Sequence, residues 1–573
     1  MFSKTIFRCF ICFLLISDYT WFIQCTERLK KPTILIAILI RNKAHTLPYF
    51  LSLLEQQNYP KNRIKLWIRS DNNIDNTSEV LRAWLAEESE KYHTIDTFID
   101  DNSNGFEDEK SSTNWSPLRF KHVINLRQEA LDYARKIWAD FIWMLDADTF
   151  LMDPNTLTNL ILKEQVVVAP LLKSDGLYSN FWAGMTDDYY YLRTEKYQLI
   201  LYREDVGCFN VPMIHSAVLI NLNMVQSDLL SYNFTNLPKY DGPLDDVITF
   251  AVGANESGVP LYICNDQLYG YIMVPLGEDE TIKEDLQRLT NIKLQMLSED
   301  HLSISNSMKK FISFPKKDTL GLDNIYMINL LRRSERRTRM YRLFEELGAQ
   351  VETFNAVDGS KLSEEDLNKL DVKLMAEYED PYHKRPMTTG EIGCFLSHYY
   401  IWNQVLNNKY ERVMILEDDI SFEPFFRQKL YFLLSELSTL QIPWDLIYIG
   451  RKRLIEKDES WVEGSKYLVN AAYSYWTLGY ILSATGARKL VEAKPLQNII
   501  PVDEYIPILS NAHPREDWKK HYPVRNLRVL STNPLLIHPT HYTGDLGYIS
   551  DTENSKIVFD SQGSNILKNR DEL

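Results

Sequence analysis

Two strongly apolar segments of the sequence each end in clustered carboxylates. Asp146 and Asp148 follow FIWML, and Glu417, Asp418 and Asp419 follow RVMIL. Such apolar runs are typical of strands buried on both faces of a parallel sheet. In open α/β sheets, ligands bind beyond the carboxyl ends of the strands. The pattern therefore predicts two ligand sites of the same kind.

These acids have two interpretations. Carboxylates one residue apart can hold Mg²⁺ or Mn²⁺, which prefer hard oxygen ligands and are readily shared with phosphates. An aspartate at this position can instead cap the following turn. Because the sequence contains two such clusters, each after an apolar strand, metal binding is favoured for at least one of them.

Strands and helices alternate in the first half of the chain. Residues 33–40 and 63–71 are predicted strands, each followed by a predicted helix, and Ser78 is a candidate N-cap of the second helix. A further helix at 126–138 precedes the first acid-ended strand. This order is the signature of a doubly wound α/β sheet.

The second half begins in the same way. Residues 323–330 form a predicted strand, and a basic helix follows in which Ser334 is a candidate N-cap. Another strand and the second acid-ended segment come next. No close residue-level repeat is visible, so the similarity is architectural. A chain of 573 residues is too long for one core, and two tandem Rossmann-like, doubly wound domains are expected.

The predicted boundaries follow from composition. They are a signal peptide at 1–25, a first domain at 30–277, a polar linker region at 278–320, a second domain at 321–552 and a tail at 553–573.

The amino terminus predicts entry into the secretory pathway. Lys4 and Arg8 accompany the apolar run CFICFLLIS, which is short for a membrane span. Cleavage is favoured, with a signal anchor as the alternative. The chain ends in a close variant of the KDEL address, Arg570, Asp571, Glu572 and Leu573. Such a tail binds a retention receptor, so the endoplasmic reticulum lumen is the expected location.

Charge and cysteine content limit the classes of function. A net charge of −15 and a pI near 5.4 argue against nucleic acid as a partner, since phosphate binding needs a basic surface. Too few cysteines remain after the signal for a disulfide scaffold, and Cys208–Cys264 is the predicted bridge. Candidate N-glycosylation sites are Asn76, Asn114, Asn233 and Asn255. Pro117 after Ser116 lowers the odds for Asn114.

The second half contains more specific motifs. INLLRRSERRTRM (328–340), TTGEIGCFLSHYYIWNQVL (388–406) and LEDD (416–419) together resemble glycosyltransferase family 25 over about 324–551. Upstream, FIWMLDADTFL, VPMIHSAVLI and DDVITFA resemble the additional N-terminal domain of the collagen galactosyltransferases in that family. The fold implied by the resemblance is two tandem GT-A-like domains.

The resemblance also implies a reaction. It is transfer of galactose from UDP-galactose to hydroxylysine of collagen chains, with Mn²⁺ and inversion at the anomeric carbon. Composition and spacing alone predict only a metal-dependent enzyme with a nucleotide ligand. A non-catalytic luminal binding or adhesion protein and a transferase with another donor sugar are the alternatives. The 12% aromatic content is ample for an interface, so a homodimer is left open.

Several residues after the first strand of the second domain are candidates for binding the donor. They are Asn329, Arg332, Arg333 and Arg336. A helix N-terminus and guanidinium groups can bind a diphosphate there, although a solvated basic helix face is an equal alternative. In GEIGCFLSH, Gly390 and Gly393 permit a close approach. His398 either contacts substrate or is a satisfied core residue, and Cys394 is predicted to be core.

Inverting transfer needs a carboxylate that takes the proton of the acceptor hydroxyl. Asp503 is the candidate base, with a helix N-cap as its alternative. In HPTHYTGDLG, His541 is favoured over His538 as a metal ligand, and Asp545 is a candidate for acceptor or metal binding.

The first domain has a corresponding set of candidates. His215 with Asp146 and Asp148 is the candidate metal set, and Asp245-Asp246 is the candidate carboxylate pair. Whether this domain is active, binds substrate or is structural is left open.

Overall fold

The computed structural model describes residues 31–102, 105–237, 240–299, 302–455, 459–545, 548–553 and 555. These residues form two compact units. The first contains the described residues up to Leu286 together with Ser303–Ile312, and the second contains the others. No helix among the described residues is both long and apolar enough to span a bilayer. The predicted signal peptide (1–25) and the predicted retention signal (570–573) lie outside the described residues.

The first unit alternates strands and helices. Its strands are β1 (Ile34–Ile40), β2 (Ile64–Ser70), β3 (Thr94–Ile99), β4 (Phe141–Asp146), β5 (Thr149–Leu151), β6 (Val167–Pro170), β7 (Phe181–Trp182), β8 (Cys208–Val211), β9 (Met213–Ile214), β10 (Ala217–Asn221), β11 (Leu261–Cys264) and β12 (Gly270–Ile272). Its helices are α1 (Leu47–Glu55), α2 (Thr77–Glu88), α3 (Pro117–Lys136), α4 (Thr156–Ile161), α5 (Glu195–Leu201) and α6 (Asp246–Glu256). Helix α7 (Ile282–Glu299) follows.

The second unit repeats this alternation. Its strands are β13 (Asn324–Asn329), β14 (Glu352–Asn355), β15 (Arg412–Leu416), β16 (Ile420–Phe422), β17 (Leu446–Arg453), β18 (Leu468–Asn470), β19 (Ser474–Ser483), β20 (Val529–Thr532) and β21 (Ile537–Pro539). Its helices are α8 (Ser334–Leu347), α9 (Glu364–Lys369), α10 (Thr389–Asn407), α11 (Phe426–Leu440), α12 (Ala484–Glu492), α13 (Val502–Leu509) and α14 (Glu516–Lys519).

The main sheets of the two units share one topology over seven strands, and the first sheet has β3 as an additional edge strand. The first has the order β3-β2-β1-β4-β10-β6-β11-β8, and the second has the order β14-β13-β15-β19-β17-β20-β18. In both, the acid-ended strand lies between a parallel strand and an antiparallel one. Strand β4 pairs with β1 and β10, and β15 pairs with β13 and β19. A small antiparallel sheet follows each acid cluster, β5 with β12 and β16 with β21.

Burial explains the apolar strands. Along β1, Ile34, Ile36 and Ile38 belong to one core cluster, and Leu35 and Ala37 belong to another. Successive side chains point to opposite faces of a sheet, so this strand is covered on both sides. The residues of β15 divide in the same way between the two cores of the second unit. Two tandem α/β domains are therefore confirmed.

Some local expectations differ from the structure. Both sheets are mixed rather than wholly parallel, because β10 and β19 run antiparallel to their neighbours. The predicted linker at 278–320 contains the 18-residue helix α7. Asn76 and Arg333 precede the first residues of α2 and α8, so Ser78 and Ser334 lie inside the helices rather than at the N-cap.

The predicted disulfide is confirmed. Cys208 and Cys264 are bonded to each other and join the edge strand β8 to β11, where the two residues are directly paired. The remaining described cysteine, Cys394, is free.

Candidate functional site

A cavity of about 530 Å³ lies in the second unit, at the carboxyl ends of β13 and β15. It is strongly acidic, and its lining carboxylates are Asp380, Glu391, Glu417, Asp418, Asp419, Asp503, Glu504, Asp551 and Glu553. Its lining cations include Arg332, Arg336 and Lys452. The volume falls in the range of small-molecule binding sites.

Asp418 and Asp419 share one arginine. The Arg336 guanidinium donates to Asp418 Oδ1 at 3.1 Å and to Asp419 Oδ2 at 3.2 Å. Asn329 Nδ2 donates to Asp418 Oδ2 at 2.6 Å. Burial, and then the neighbouring Asp419, raise the pKa of Asp418. Among the described residues, the buried Oδ1 of Asp419 has no hydrogen-bond partner. An orphaned carboxylate oxygen fits a hard divalent cation.

Glu417 faces a different neighbour. Its Oε1 lies 3.8 Å from Nε2 of His398, which is itself buried. Burial, and then the carboxylates Asp419, Asp503 and Asp418, raise the pKa of Glu417 well above its usual value. Burial lowers the pKa of His398 to about 3, so the imidazole is neutral.

The ring of His398 is fixed by a buried aromatic pair. Nδ1 of His398 lies 2.9 Å from the Tyr480 hydroxyl, to which Trp402 Nε1 donates at 2.8 Å. His398 lies on α10, whose Thr388 N-cap forms a capping box with Glu391. On the same helix, a Cβ added to Gly393 would lie 2.5 Å from the Val357 carbonyl oxygen, so the expected close approach is present.

Asp503 lines the same cavity as the acid cluster. It accepts hydrogen bonds from the backbone N–H groups of Trp476 and Thr477, both at 3.0 Å, and from the Thr477 hydroxyl. Burial raises its pKa despite these donors. The N-cap of α13 is Pro501, so Asp503 is not the cap of its helix. The structure thus brings the candidate base and the candidate metal acids to one cavity.

The candidate donor-binding arginines meet an aspartate that sequence reasoning missed. Arg333 donates to both oxygens of Asp551 at 2.7 and 2.9 Å, and Arg332 donates to Asp551 Oδ1 at 2.8 Å. Arg336 donates to the Ile549 carbonyl at 2.9 Å. Burial favours a higher pKa for Asp551, but the hydrogen bond and charge of Arg333 leave its pKa lowered. The family resemblance ends near Asp551, and the spacing of residues along the sequence gives no sign that this aspartate pairs with the arginines.

The late histidines and Asp545 are placed separately. His541 lines the cavity, whereas His538 lies on β21 and contacts Glu423 at 2.9 Å. Asp545 is exposed and accepts from the backbone N–H of Tyr542 at 2.6 Å. Its role as an acceptor or metal ligand stays a prediction.

In the first unit, ion pairs occupy the acid cluster. Asp148 contacts the Lys43 ammonium at 2.7 Å, and Asp146 contacts the Arg127 guanidinium at 2.9 Å. Arg127 also pairs with Asp246. Burial favours a higher pKa for Asp146, but the charge of Arg127 outweighs it, and the pKa of Asp146 is lowered. The pKa of Asp148 is raised, because burial outweighs the charge of Lys43.

His215 and Asp245 complete the candidate set of the first unit. His215 contacts the Ser216 hydroxyl through Nδ1 at 2.7 Å, and burial lowers its pKa to about 4. Asp245 is the N-cap of α6, accepting from the N–H groups of Val247 and Ile248. Burial, and then Asp246, raise the pKa of Asp245 to about 6.

Clusters of potential metal ligands are few within the described ranges. Two groups of three residues have their ligand atoms within 4.8 Å of one another, namely Cys394 with His398 and Glu417, and the disulfide cysteines with Asp266. The candidate set of the second unit, Glu417, Asp418, Asp419 and His541, is not one of these groups, and neither is the set Asp146, Asp148 and His215. Both sets stay predictions.

The candidate glycosylation sites differ in exposure. Asn76 and Asn255 are exposed, and Asn114 and Asn233 are partly buried. Ser116, the hydroxyl residue of the second sequon, is 2% exposed and caps α3. Modification of all four sites stays a prediction.

Sequence comparison supplies the relationship to known proteins. Residues 31–293 match the family described as "Glycosyltransferase family 25, N-terminal domain", and residues 322–506 match "Glycosyltransferase family 25 (LPS biosynthesis protein)". A "Glycosyltransferase 25 family member" of Anopheles gambiae is 52% identical, with 93% of this chain and 90% of the relative covered. "Procollagen galactosyltransferase 2" of Homo sapiens is 43% identical, with 92% of this chain and 84% of the relative covered.

Solved structures show only weak global similarity. A mannosyltransferase from Pyrobaculum calidifontis in complex with GDP-Man and Mn²⁺ is 14% identical, with 49% of this chain and 68% of that chain covered, and a TM-score of 0.29.

Proposed function

The chain belongs to glycosyltransferase family 25, and we propose that its second unit transfers galactose from UDP-galactose to hydroxylysine residues of collagen chains. The chain is a glycosyltransferase with two tandem GT-A-like domains. The observation that carries the proposal is the cavity lined by Asp418, Asp419 and Asp503 together with Arg332 and Arg336. The names of the curated relatives support the donor sugar and the collagen acceptor.

The donor diphosphate would lie against Arg332, Arg333 and Arg336. These side chains follow the carboxyl end of β13 and surround the N-terminus of α8, where backbone N–H groups and the helix dipole favour an anion. Guanidinium groups bind phosphate oxygens through paired hydrogen bonds. Arg332 and Arg333 donate hydrogen bonds to Asp551, with which a diphosphate would compete.

Asp418 and Asp419 would hold the divalent cation. Mn²⁺ bound there would supply neutralisation of the charge that develops on the leaving diphosphate. The orphaned Oδ1 of Asp419 is the oxygen best suited to it. Arg336, which now contacts both carboxylates, carries positive charge at the same place and would assist the departure of the nucleotide.

Asp503 would act as the general base. The acceptor hydroxyl oxygen forms a bond to the anomeric carbon as the bond from that carbon to the diphosphate oxygen breaks. The hydroxyl proton passes to the Asp503 carboxylate, and attack from the face opposite the leaving group inverts the configuration. The backbone donors of Trp476 and Thr477 hold this carboxylate in position.

We also propose that the protein works in the endoplasmic reticulum lumen. The basic and apolar amino terminus and the RDEL carboxyl terminus support entry and retention. The Cys208–Cys264 bond is consistent with an oxidising compartment.

The direct experiment incubates the full chain with a hydroxylysine-containing collagen peptide and UDP-galactose, UDP-glucose or UDP-N-acetylglucosamine. Product is identified by mass spectrometry and its anomeric configuration by NMR. Galactosyl transfer with a β linkage, lost with a chelator and restored by Mn²⁺, is expected. Transfer of another sugar would replace the donor assignment, and binding of collagen without transfer from any donor would favour a binding protein.

A further inference from the structure

The GEIGCFLSH motif has a feature that galactosyl transfer does not use. Cys394 and His398 lie one helical turn apart on α10, so their side chains share a face of the helix. That face meets Glu417 at the end of β15. The Cys394 thiol, the His398 imidazole and the Glu417 carboxylate each offer a ligand atom, and these atoms all lie within 4.8 Å of one another.

We propose that Cys394, His398 and Glu417 form a binding site for a borderline-soft transition metal, of which Zn²⁺ is the type. Thiolate and imidazole are the ligands that Zn²⁺ prefers, whereas the oxygen-only pair Asp418 and Asp419 suits Mn²⁺ or Mg²⁺. The chain would therefore have two cation sites of different chemistry, both with ligands that line the same cavity.

An unpartnered polar atom at this position supports the proposal independently. Nε2 of His398 has no hydrogen-bond partner among the described residues, although the side chain is only 1% exposed. Buried polar atoms are nearly always paired. This nitrogen points to Glu417 Oε1 at 3.8 Å, which is too long for a hydrogen bond but close to the spacing of two ligands of one metal ion.

The imidazole is held as metal ligands usually are. A histidine that binds a metal through one nitrogen commonly bonds a fixed partner through the other. Here Nδ1 of His398 contacts the Tyr480 hydroxyl at 2.9 Å, and Tyr480 is buried. This contact leaves Nε2 directed at Glu417, so no rotation of the ring is needed.

The geometry requires little movement. With Zn–ligand bonds of about 2.0–2.3 Å, tetrahedral ligand atoms are roughly 3.5 Å apart. The three ligand atoms lie within 4.8 Å of one another, so shifts of side chains alone can close the site. Cys394 and Glu417 also line the cavity, which leaves a fourth position open to water. Binding would release the Cys394 proton to solvent.

Metal at this site has a consequence for the neighbouring carboxylates. Glu417, Asp418 and Asp419 are consecutive, and Glu417 would be fixed as a ligand of the soft ion. Zn²⁺ bound next to Asp418 and Asp419 would repel a second cation there. The site would thus oppose binding of Mn²⁺ at the oxygen pair, and Zn²⁺ would inhibit any Mn²⁺-dependent activity.

The test is a Co²⁺ titration of the full, metal-stripped chain, since Co²⁺ bound to a thiolate has a charge-transfer absorption in the near ultraviolet. One equivalent giving this band, with Zn²⁺ abolishing it by displacement, is expected. Cys394→Ser should remove the band, and His398→Gln and Glu417→Gln should each weaken Co²⁺ binding at least tenfold. Asp419→Asn, the matched change at the oxygen pair, should leave the band in place.

Three results would overturn the proposal. They are absence of the band, persistence of the band in Cys394→Ser, and binding that is lost in Asp419→Asn but kept in Cys394→Ser. A second measurement needs no variant. Zn²⁺ should slow alkylation of Cys394 in the unmodified chain, followed by peptide mass spectrometry, and an unchanged alkylation rate would contradict the site.

Discussion

The two units place carboxylates at the same point of the same sheet topology, yet surround them differently. In the first unit Lys43 and Arg127 neutralise Asp148 and Asp146. In the second unit Asp418 and Asp419 share one arginine at the edge of a cavity of about 530 Å³, and one oxygen of Asp419 is unpartnered. Sheet topology therefore sets where ligands can bind, and the side chains around each acid cluster determine which ligands can bind there.

The arginines beside the two acid clusters differ in their burial. Arg127 extends from α3, has an 11% exposed side chain and joins Asp146 to Asp246. Arg336 extends from α8 and is 20% exposed beside the cavity. A buried guanidinium between two carboxylates is structural, because removing it leaves charges in a low dielectric. One beside a cavity can exchange partners when an anion enters.

The largest expected effect is on kcat, and it should appear for a change in the second unit and not for the matched change in the first. Asp503→Asn keeps the size of the side chain but cannot accept a proton, so kcat should fall by about 10²–10⁴-fold with little change in KM. Initial rates of galactosyl transfer measure it. Asp245→Asn is the matched change in the first unit and should leave kcat within twofold. An unchanged kcat in Asp503→Asn would remove this residue as the base.

Removing Arg127 should break the buried network of the first unit. Arg127→Ala leaves Asp146 and Asp246 without their counter-charge and should lower the free energy of unfolding by about 3–5 kcal/mol. Arg336→Ala, the corresponding change beside the cavity, should lower it by about 1 kcal/mol, because the Asp419 side chain is 37% exposed and Asp418 keeps its hydrogen bond from Asn329. Urea unfolding followed by circular dichroism compares them. Equal losses would mean that the two arginines are equally structural.

The pH dependence of stability should also distinguish the first unit. Burial raises the pKa of Asp245 to about 6, so the folded protein keeps a proton that the unfolded chain has released. This group therefore lowers stability as pH rises from about 4 to 6, and the full cost persists above that window.

Asp245→Asn keeps the N-cap acceptor and removes this cost. A gain of about 2 kcal/mol is expected at pH 7, and none near pH 4. Thermal melting at both pH values measures it, with the exposed Asp228→Asn as the control. A gain of the same size at both pH values would show that ionisation of Asp245 is not the cause.

The smallest expected effect concerns Asp551. Its carboxylate contacts Arg332 and Arg333, so it competes with a diphosphate for their N–H groups. Asp551→Asn should therefore tighten UDP binding by up to about fivefold, the scale of a partly exposed ion pair. Calorimetric titration with UDP measures it, and Asp545→Asn is the control in the same region. Weaker binding would show that Asp551 positions the arginines rather than competing for them.

Local sequence patterns predicted the strands and their acidic ends. Strands β1 and β15 are uniformly apolar because successive side chains are buried in cores on opposite faces of the sheet. Parallel strands have their carboxyl ends at the same edge of the sheet, which places the acids there. The Cys208–Cys264 bond was predictable because few cysteines remain for pairing. The placement of Asp503 with the acid cluster agrees with its position after the donor motifs.

Other features could not be predicted, because they depend on contacts between residues far apart in sequence. The antiparallel placement of β10 and β19 follows from sheet order, which periodicity does not encode. In the sequence, nothing distinguishes Arg127 and Asp551 from charged residues of an ordinary surface. Only the fold brings Arg127 to Asp146 and Asp551 to Arg333. The helical character of α7 was hidden by its many polar side chains, which suggested a linker.

The most direct test of the account is galactosyl transfer from UDP-galactose to a hydroxylysine peptide by Asp418→Asn/Asp419→Asn, with circular dichroism as the check of folding. Asp146→Asn/Asp148→Asn provides the matched comparison in the first unit. The account predicts that the second-unit variant stays folded and loses at least about 100-fold in rate. A folded second-unit variant that transfers galactose at the wild-type rate would contradict it.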